Sequence, residues 1–149
     1  MKMRLLILAM LLSFCSYGQK NKINNIEFEY KHSWQNFSTK ITIFSSRNNE
    51  PIILKTCIGE KCNDKTINQE AFDKVYNSII VISPKNLIDS FEEGGDGAMT
   101  TIKIGNGSNK ISYAVWGLNK EEPIVGSPDF LKAAQIILEV AKVKIDDIN

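Results

Sequence analysis

Apolar and polar residues alternate over residues 26–34. A period of two predicts a β-strand with one apolar face. A turn at residues 35–36 would fold the next strand back against it and place Phe28 opposite Ile43. All apolar partners then share one face, and a shift by one residue would destroy that match. The first predicted element is therefore a β-hairpin.

The same apolar face extends into a third predicted strand. Asparagine tolerates positive φ, so Asn48 and Asn49 are suited to the centre of a second turn. A turn centred on them pairs Ile43 with Leu54 and predicts a strand over residues 51–58.

The most distinct hairpin signal lies later in the chain, at residues 106–107 (Asn-Gly). This dipeptide is preferred in a type I′ turn. It separates two alternating segments, Ala98–Ile104 and Asn109–Trp116. A turn centred on it places Ile102 opposite Ile111.

Helical spacing replaces alternation in three segments. Residues 66–69 resemble a capping box, and the apolar stripe that follows is Phe72, Val75, Tyr76, Ile79 and Ile80. Ser83 and Pro84 end that helix and begin a short second one, with the stripe Leu87, Ile88 and Phe91. Ser127 and Pro128 begin the last helix, whose inner stripe is Phe130, Ala134, Ile137, Leu138 and Ala141.

The predicted order is β-β-β-α-(short α)-β-β-α. Local hairpins imply a largely antiparallel five-stranded sheet with helices packed on one face, an α+β two-layer architecture. No linker-like segment divides the chain, so residues 19–149 are predicted to form a single domain. The pattern does not indicate how the two groups of strands join.

The first eighteen residues have the features of a secretory signal peptide. Lys2 and Arg4 precede a short apolar core, and small residues precede a cleavage position before Gln19. The apolar run is too short to span a bilayer. The protein is therefore predicted to be exported, to the periplasm or outside the cell, without a transmembrane segment. An uncleaved anchor and a lipid anchor on Cys15 are the alternatives, although Phe14 is not the small residue that a lipid anchor needs.

Charge and cysteine content change with that cleavage. Loss of two basic residues leaves 16 Lys and Arg against 17 Asp and Glu, and the formal net charge changes from +1 to −1. Cys57 and Cys62 remain, and an oxidising compartment favours a disulfide between them. Closing so short a loop contributes about 2 kcal/mol. Free thiols and a metal site are alternatives, but two cysteines and the single histidine are few ligands for a metal.

Signals for catalysis are sparse. His32, the one histidine, is predicted to lie mid-strand opposite Thr39 as a structural imidazole. The chain lacks the G-x-S-x-G, H-E-x-x-H and phosphate-loop motifs, and C-x4-C differs from the C-x-x-C of thiol oxidoreductases. No catalytic residue, cofactor or metal is therefore predicted. Scattered lysines without a basic tract also argue against a nucleic-acid partner.

An acidic loop and a tryptophan form the candidate binding site. Trp116 is predicted on the face opposite the isoleucines, across from Gly97 and beside Met99, with the acidic residues of the preceding loop nearby: Glu92, Glu93 and Asp96. A tryptophan ringed by acids is suited to contact a basic protein partner. The alternatives are that Trp116 is covered by its own chain, and that the loop is a solvated connector or a calcium site.

The segments around Phe72, residues 96–102 and residues 112–117 resemble small exported proteins of Bacteroidetes-type bacteria. The resemblance covers the second half of the predicted mature chain, and its motifs are turn and strand signals. Some exported domains of this size are inhibitors or immunity proteins. The exported single domain, the missing catalytic set and the acidic-aromatic face together predict an exported protein-binding module of that kind, without catalytic activity. The alternative is an envelope accessory or small-ligand-binding domain.

Overall fold

Six strands and three helices form the part of the chain described by the computed structural model, residues 24–33, 38–45, 50–89, 98–116, 127–145 and 148. The strands are β1 (Asn25–His32), β2 (Ser38–Phe44), β3 (Ile52–Ile58), β4 (Lys61–Ile67), β5 (Ala98–Asn106) and β6 (Asn109–Trp116). The helices are α1 (Gln69–Ile80), α2 (Pro84–Asp89) and α3 (Pro128–Ala141).

All neighbouring strands are antiparallel, in the order β4-β3-β2-β1-β5-β6. The predicted α+β architecture is confirmed, but the described sheet has six strands rather than five. β1 lies at the centre because it pairs with both β2 and β5. Its pairing with β5 places Phe28 opposite Ile102 and joins the two groups of strands.

β4 is the strand that the alternation of residues did not predict. Three of its inner-face positions carry Lys61, Asn63 and Lys65, so no apolar period is visible. A two-residue turn joins β3 to β4, and Gly59 occupies its first position with φ of 56°. Glycine at that position is typical of a type II′ hairpin turn, which was the available signal for this strand.

The β2–β3 register is confirmed, with Ile43 opposite Leu54. The predicted β1–β2 register was wrong by two residues, because Phe28 lies opposite Ile41. A shift by two keeps every side chain on its predicted face. It also places Lys40 opposite Glu29, an attractive pair. Trp34 and Phe37 lie outside the described residues.

The β5–β6 register is also shifted by two from the prediction. Ile102 lies opposite Tyr113, and the turn residues are Gly107 and Ser108 rather than residues 106–107. Gly107 has φ of 60° and is the first residue of the turn, as a type II′ turn requires. The glycine is therefore in the turn, but one position earlier than a type I′ turn would place it.

The helices cover one face of this sheet and enclose the core. Its largest fully buried side chains come from both layers: Phe28, Phe130, Ile26, Ile41, Ile43, Leu54, Ile79, Ile102, Ile137, Ile148 and Val75. The inner stripe predicted for the last helix is buried at every position. Between the two longer helices, Lys74 Nζ lies 2.9 Å from Glu139 Oε2.

Helix ends depart from the predictions in detail. Asn68 caps α1, since its side chain accepts a 2.9 Å hydrogen bond from the Ala71 backbone N–H. Thr66 was therefore the wrong cap, because it still belongs to β4. At α3, Ser127 precedes Pro128 as predicted, but its buried hydroxyl makes no capping bond.

Two predicted apolar stripes are only partly buried. Ile80, at the end of α1, and Ile88, in α2, are 51% and 74% exposed. Phe72, Val75 and Ile79 account for the buried apolar face of α1. Phe91 lies outside the described residues.

Candidate functional site

The sheet face opposite the helices is the candidate functional surface. Side chains alternate along each strand, so the residues between the core positions point away from the helices. No helix of the described residues packs on this side, since α1 and α3 bury their apolar faces in the core and Leu87 of α2 packs against it. We call this surface the open face.

Glu27 lies near the middle of the open face, on β1. Its carboxylate accepts a 2.7 Å hydrogen bond from Asn25 Nδ2. Lys110 Nζ lies 3.3 Å from one carboxylate oxygen, and Lys40 Nζ lies 4.0 Å from the other. Burial by itself would raise the pKa of Glu27, but the two hydrogen bonds and the two lysine charges lower it below its ordinary value. Glu27 is therefore held ionised.

A glycine makes the contact between Lys110 and Glu27 geometrically possible. Lys110 belongs to β6 and Glu27 to β1, with β5 between them. Gly105 lies opposite Lys110, and a Cβ at Gly105 would be only 2.8 Å from Lys110 Cγ. The lysine side chain therefore crosses the space that a side chain at position 105 would occupy.

The described part of the open face carries more positive than negative charge. Its five lysines are Lys31, Lys40, Lys55, Lys103 and Lys110, and its three acids are Glu27, Glu29 and Asp64. Glu27 already interacts with two of the lysines. The remaining potential of this surface is therefore positive.

Met99 and Trp116 lie directly opposite each other on β5 and β6. The prediction that Trp116 faces Gly97 was wrong because of the two-residue register shift, but its position beside Met99 on the open face agrees with the sequence analysis. Met99 is 38% exposed and Trp116 is half-buried. Lys31 pairs with Met99 from the other side.

A second apolar group lies at the opposite corner of the open face. Phe44, 42% exposed, is opposite Ile53 on β3. The lysines and acids of the central strands separate this group from Met99 and Trp116. The open face therefore combines two apolar corners with a charged centre. Glu92, Glu93 and Asp96 lie outside the described residues, and their grouping with Trp116 stays a prediction.

Cys57 and Cys62 form a disulfide across β3 and β4, with their sulfur atoms 2.05 Å apart. They are directly opposite each other in the register, and their side chains project on the open face. The bond agrees with the pairing that the sequence favoured. It ties the edge strand β4 to the rest of the sheet.

The predicted position of His32, opposite Thr39, was wrong. His32 lies at the end of β1 opposite Ala98, whereas Thr39 lies opposite Tyr30. Within the described ranges, no group of three or more histidine, cysteine, aspartate or glutamate side chains is arranged to hold a metal ion.

A cavity of about 510 Å³ lies on the other side of the sheet, between the β3–β4 hairpin and the C-terminal end of α3. It is lined by Thr56, Ile58, Lys61, Cys62, Asn63, Lys65, Ala141, Lys142 and Val143. This group of residues could not be recognised from the sequence, because its members meet only once β4 is part of the sheet.

Lys65 connects the wall of this cavity to α3. Its ammonium group donates hydrogen bonds of 2.8 and 3.2 Å to the backbone carbonyls of Val140 and Ala141. These carbonyls are at the helix end, where a positive charge is favourable. Burial, and secondly the charge of Lys142, lower the pKa of Lys65.

None of the helices in the described parts of the chain is long and apolar enough to cross a membrane. The chain matches no protein-family model and no curated protein sequence. Its function is therefore inferred from the geometry of the open face and of the cavity.

Proposed function

We propose that this chain is an exported protein-binding module of the inhibitor or immunity type, acting in the cell envelope without catalysis. It binds a protein partner through the open face of its sheet. The observation that carries this proposal is the Met99–Trp116 pair on a sheet face that no described helix covers. Tryptophan and methionine are enriched at protein interfaces, and tryptophan is a frequent hot spot.

Charge complementarity specifies the partner's surface. The sequence favoured a basic partner because of Glu92, Glu93 and Asp96. The described open face instead presents five lysines against three acids, with Lys31 beside Met99. An acidic patch facing these lysines, beside an apolar pocket, is the complementary surface, since opposite potentials steer and orient protein association. We therefore propose a partner whose apolar pocket receives Trp116.

Export is supported by the signal-like first eighteen residues. The Cys57–Cys62 disulfide is consistent with an oxidising compartment. Inhibition or immunity fits a small module that offers a broad contact surface.

The test begins with affinity capture from the organism's own envelope fraction. The baits are the exported protein, Trp116→Ala, and Ile88→Ala as a matched control. Ile88 is an exposed apolar residue of α2, away from the open face. A partner of the open face is retained by the first and third baits and lost from the second.

The captured protein is then bound in purified form. We expect Trp116→Ala to weaken binding at least about thirtyfold, as for a hot spot of 2 kcal/mol or more. Carbodiimide cross-linking is expected to join Lys31 or Lys103 to partner carboxylates. Equal binding by Trp116→Ala, or cross-links confined to the helical side, would contradict the proposal. Circular dichroism of the variant checks its fold, and an unfolded Trp116→Ala would show that Trp116 belongs to the core.

A further inference from the structure

The cavity beside α3 brings three lysines together without a carboxylate among its nine lining residues. Lys61 and Lys65 are on the same face of β4, with Asn63 between them. Lys142 approaches from the end of α3. Like charges in one cavity repel, so the site has a net attraction for an anion.

Lys142 is held in an unfavourable backbone conformation. It is the only non-glycine residue of the described chain with positive φ, at 62°. This left-handed position follows the last turn of α3, where glycine is the usual residue. The backbone N–H groups of Lys142 and Val143 donate to the carbonyls of Glu139 and Leu138, which is the hydrogen-bond pattern of a Schellman motif, so the helix end itself accounts for this conformation. The motif turns the chain at Lys142, which lies on the wall of the cavity.

The rest of the lining is suited to an organic ligand. Ile58, Ala141 and Val143 provide an apolar wall, while Thr56 and Asn63 add a hydroxyl and an amide. The cavity volume is within the range of small-molecule sites, which combine apolar walls with a few polar groups.

We propose that this cavity binds a small organic anion. Its oxyanion head group lies between Lys61, Lys65 and Lys142, and its apolar part packs against Ile58, Ala141 and Val143. The site is on the helix side of the sheet and is independent of partner binding by the open face. The small-ligand-binding function, which the sequence left as an alternative, would have its site in this cavity.

Lys65 also has a structural task, since two of its three donors bind the α3 carbonyls. Its substitution would disturb the fold as well as the site. Lys142 is the better target, because glycine adopts positive φ without strain. Lys142→Gly is expected to raise the midpoint of thermal unfolding by about 4 °C while removing one cation from the cavity.

The test measures binding to the purified, disulfide-bonded protein by calorimetry and by ¹H–¹⁵N shifts of the Asn63, Lys142 and Val143 amides. The probes are octanoate and octyl phosphate, with octanol and inorganic phosphate as controls. Binding of either amphiphilic anion supports the proposal and shows which head group is preferred. If octanol binds as tightly as the amphiphilic anions, the lysine charges do not contribute and the proposal is wrong. If inorganic phosphate binds as tightly, the apolar wall does not contribute.

Variants distinguish the cavity from general charge. Lys142→Gly is expected to weaken binding of the preferred probe about tenfold, and Lys142→Arg to retain it. Lys132→Gln is the matched control, because Lys132 is an exposed lysine of the same helix that does not line the cavity. Unchanged affinity in Lys142→Gly, or equal loss in Lys132→Gln, overturns the proposal. Its failure would leave the open-face interaction untouched.

Discussion

Glu27 accepts hydrogen bonds from Asn25 and Lys110, and Lys40 lies near its other oxygen. These contacts favour the ionised form, so the pKa in the folded protein is below the ordinary value of 4.5. A carboxylate with a lowered folded pKa stabilises the protein above its unfolded pKa. That contribution is lost as the pH falls through the folded pKa.

Glu27→Gln is therefore expected to lower the free energy of unfolding at pH 7 by about 1 kcal/mol. The difference in unfolding free energy from the unmodified protein begins to narrow as the pH falls below 4.5, because Glu27 of the unfolded chain is then protonated first. It is smallest below the lower pKa of the folded protein, where the native carboxyl is also neutral. Urea unfolding at several pH values measures both effects. Glu60→Gln, the same change at an exposed turn position, serves as the control. If the two proteins differ in unfolding free energy by the same amount at pH 7 and pH 3, the effect of the substitution does not come from the ionisation of Glu27.

At this scale the sequence identified some site residues and not others. Trp116 and Met99 could be placed on one face because alternation alone assigns faces. The proximity of Lys65 and Lys142 could not be predicted. Lys65 lies on a polar strand, and Lys142 follows the helix α3, whose Val140 is 75 residues beyond Lys65 in the chain. Their meeting depends on the position of β4.

Among the elements, α1 depends on a cap that the sequence did not identify. The side chain of Asn68 accepts a hydrogen bond from Ala71 N–H, which satisfies one of the free donors at the helix start. Asn68→Ala is expected to lower the free energy of unfolding by about 1 kcal/mol.

Asn77→Ala is the matched control for this cap. Asn77 is an exposed residue within α1, where alanine has the higher helix propensity. Thermal unfolding of the two variants is expected to shift in opposite directions. Equal shifts would mean that the Asn68 side chain contributes nothing as a cap.

The two register errors share one cause. Side chains repeat every two residues, so a pairing shifted by two is as consistent with the apolar pattern as the correct one. Other residues decide between them: Lys40 opposite Glu29 in the first hairpin, and Gly107 in the second. The β2–β3 register was predicted correctly, with Ile43 opposite Leu54.

β4 was missed for a different reason. It is an edge strand, and its inner positions include the lysines that line the cavity rather than core residues. Polar and charged residues on an edge strand also discourage pairing with other chains. The hydrophobic pattern therefore carries no signal for this strand, although Gly59 marks the turn before it.

For the whole molecule, the order of strands predicts a gradient of local stability. β1 and β5 are central and have a strand on each side, whereas β4 is an exposed edge. Amide hydrogens of Phe28 and Ile102 are expected to exchange slowest, and those of β4 at least about a hundredfold faster. Native-state hydrogen exchange followed by NMR measures this gradient. Uniform protection across the six strands would contradict it.

The strand order itself had no local signal. Each hairpin has turn residues that indicate it locally. The ladder between β1 and β5, in contrast, joins segments on either side of two helices. The α+β class followed from the kinds of elements, whereas the sheet's centre depends on packing between distant segments.

That central ladder has a consequence for the time course of folding. β1 and β5 are separated by about seventy positions in the chain, so pairing them requires closing a long loop. The four pairs of consecutive strands can form early, because each of them closes only a short loop. The central pairing of the sheet forms only when residues 98–106 are available, and until then one edge of β1 has no hydrogen-bonding partner strand. If the chain is exported unfolded, as proposed above, β1 must therefore stay unpaired along that edge until β5 has crossed the membrane.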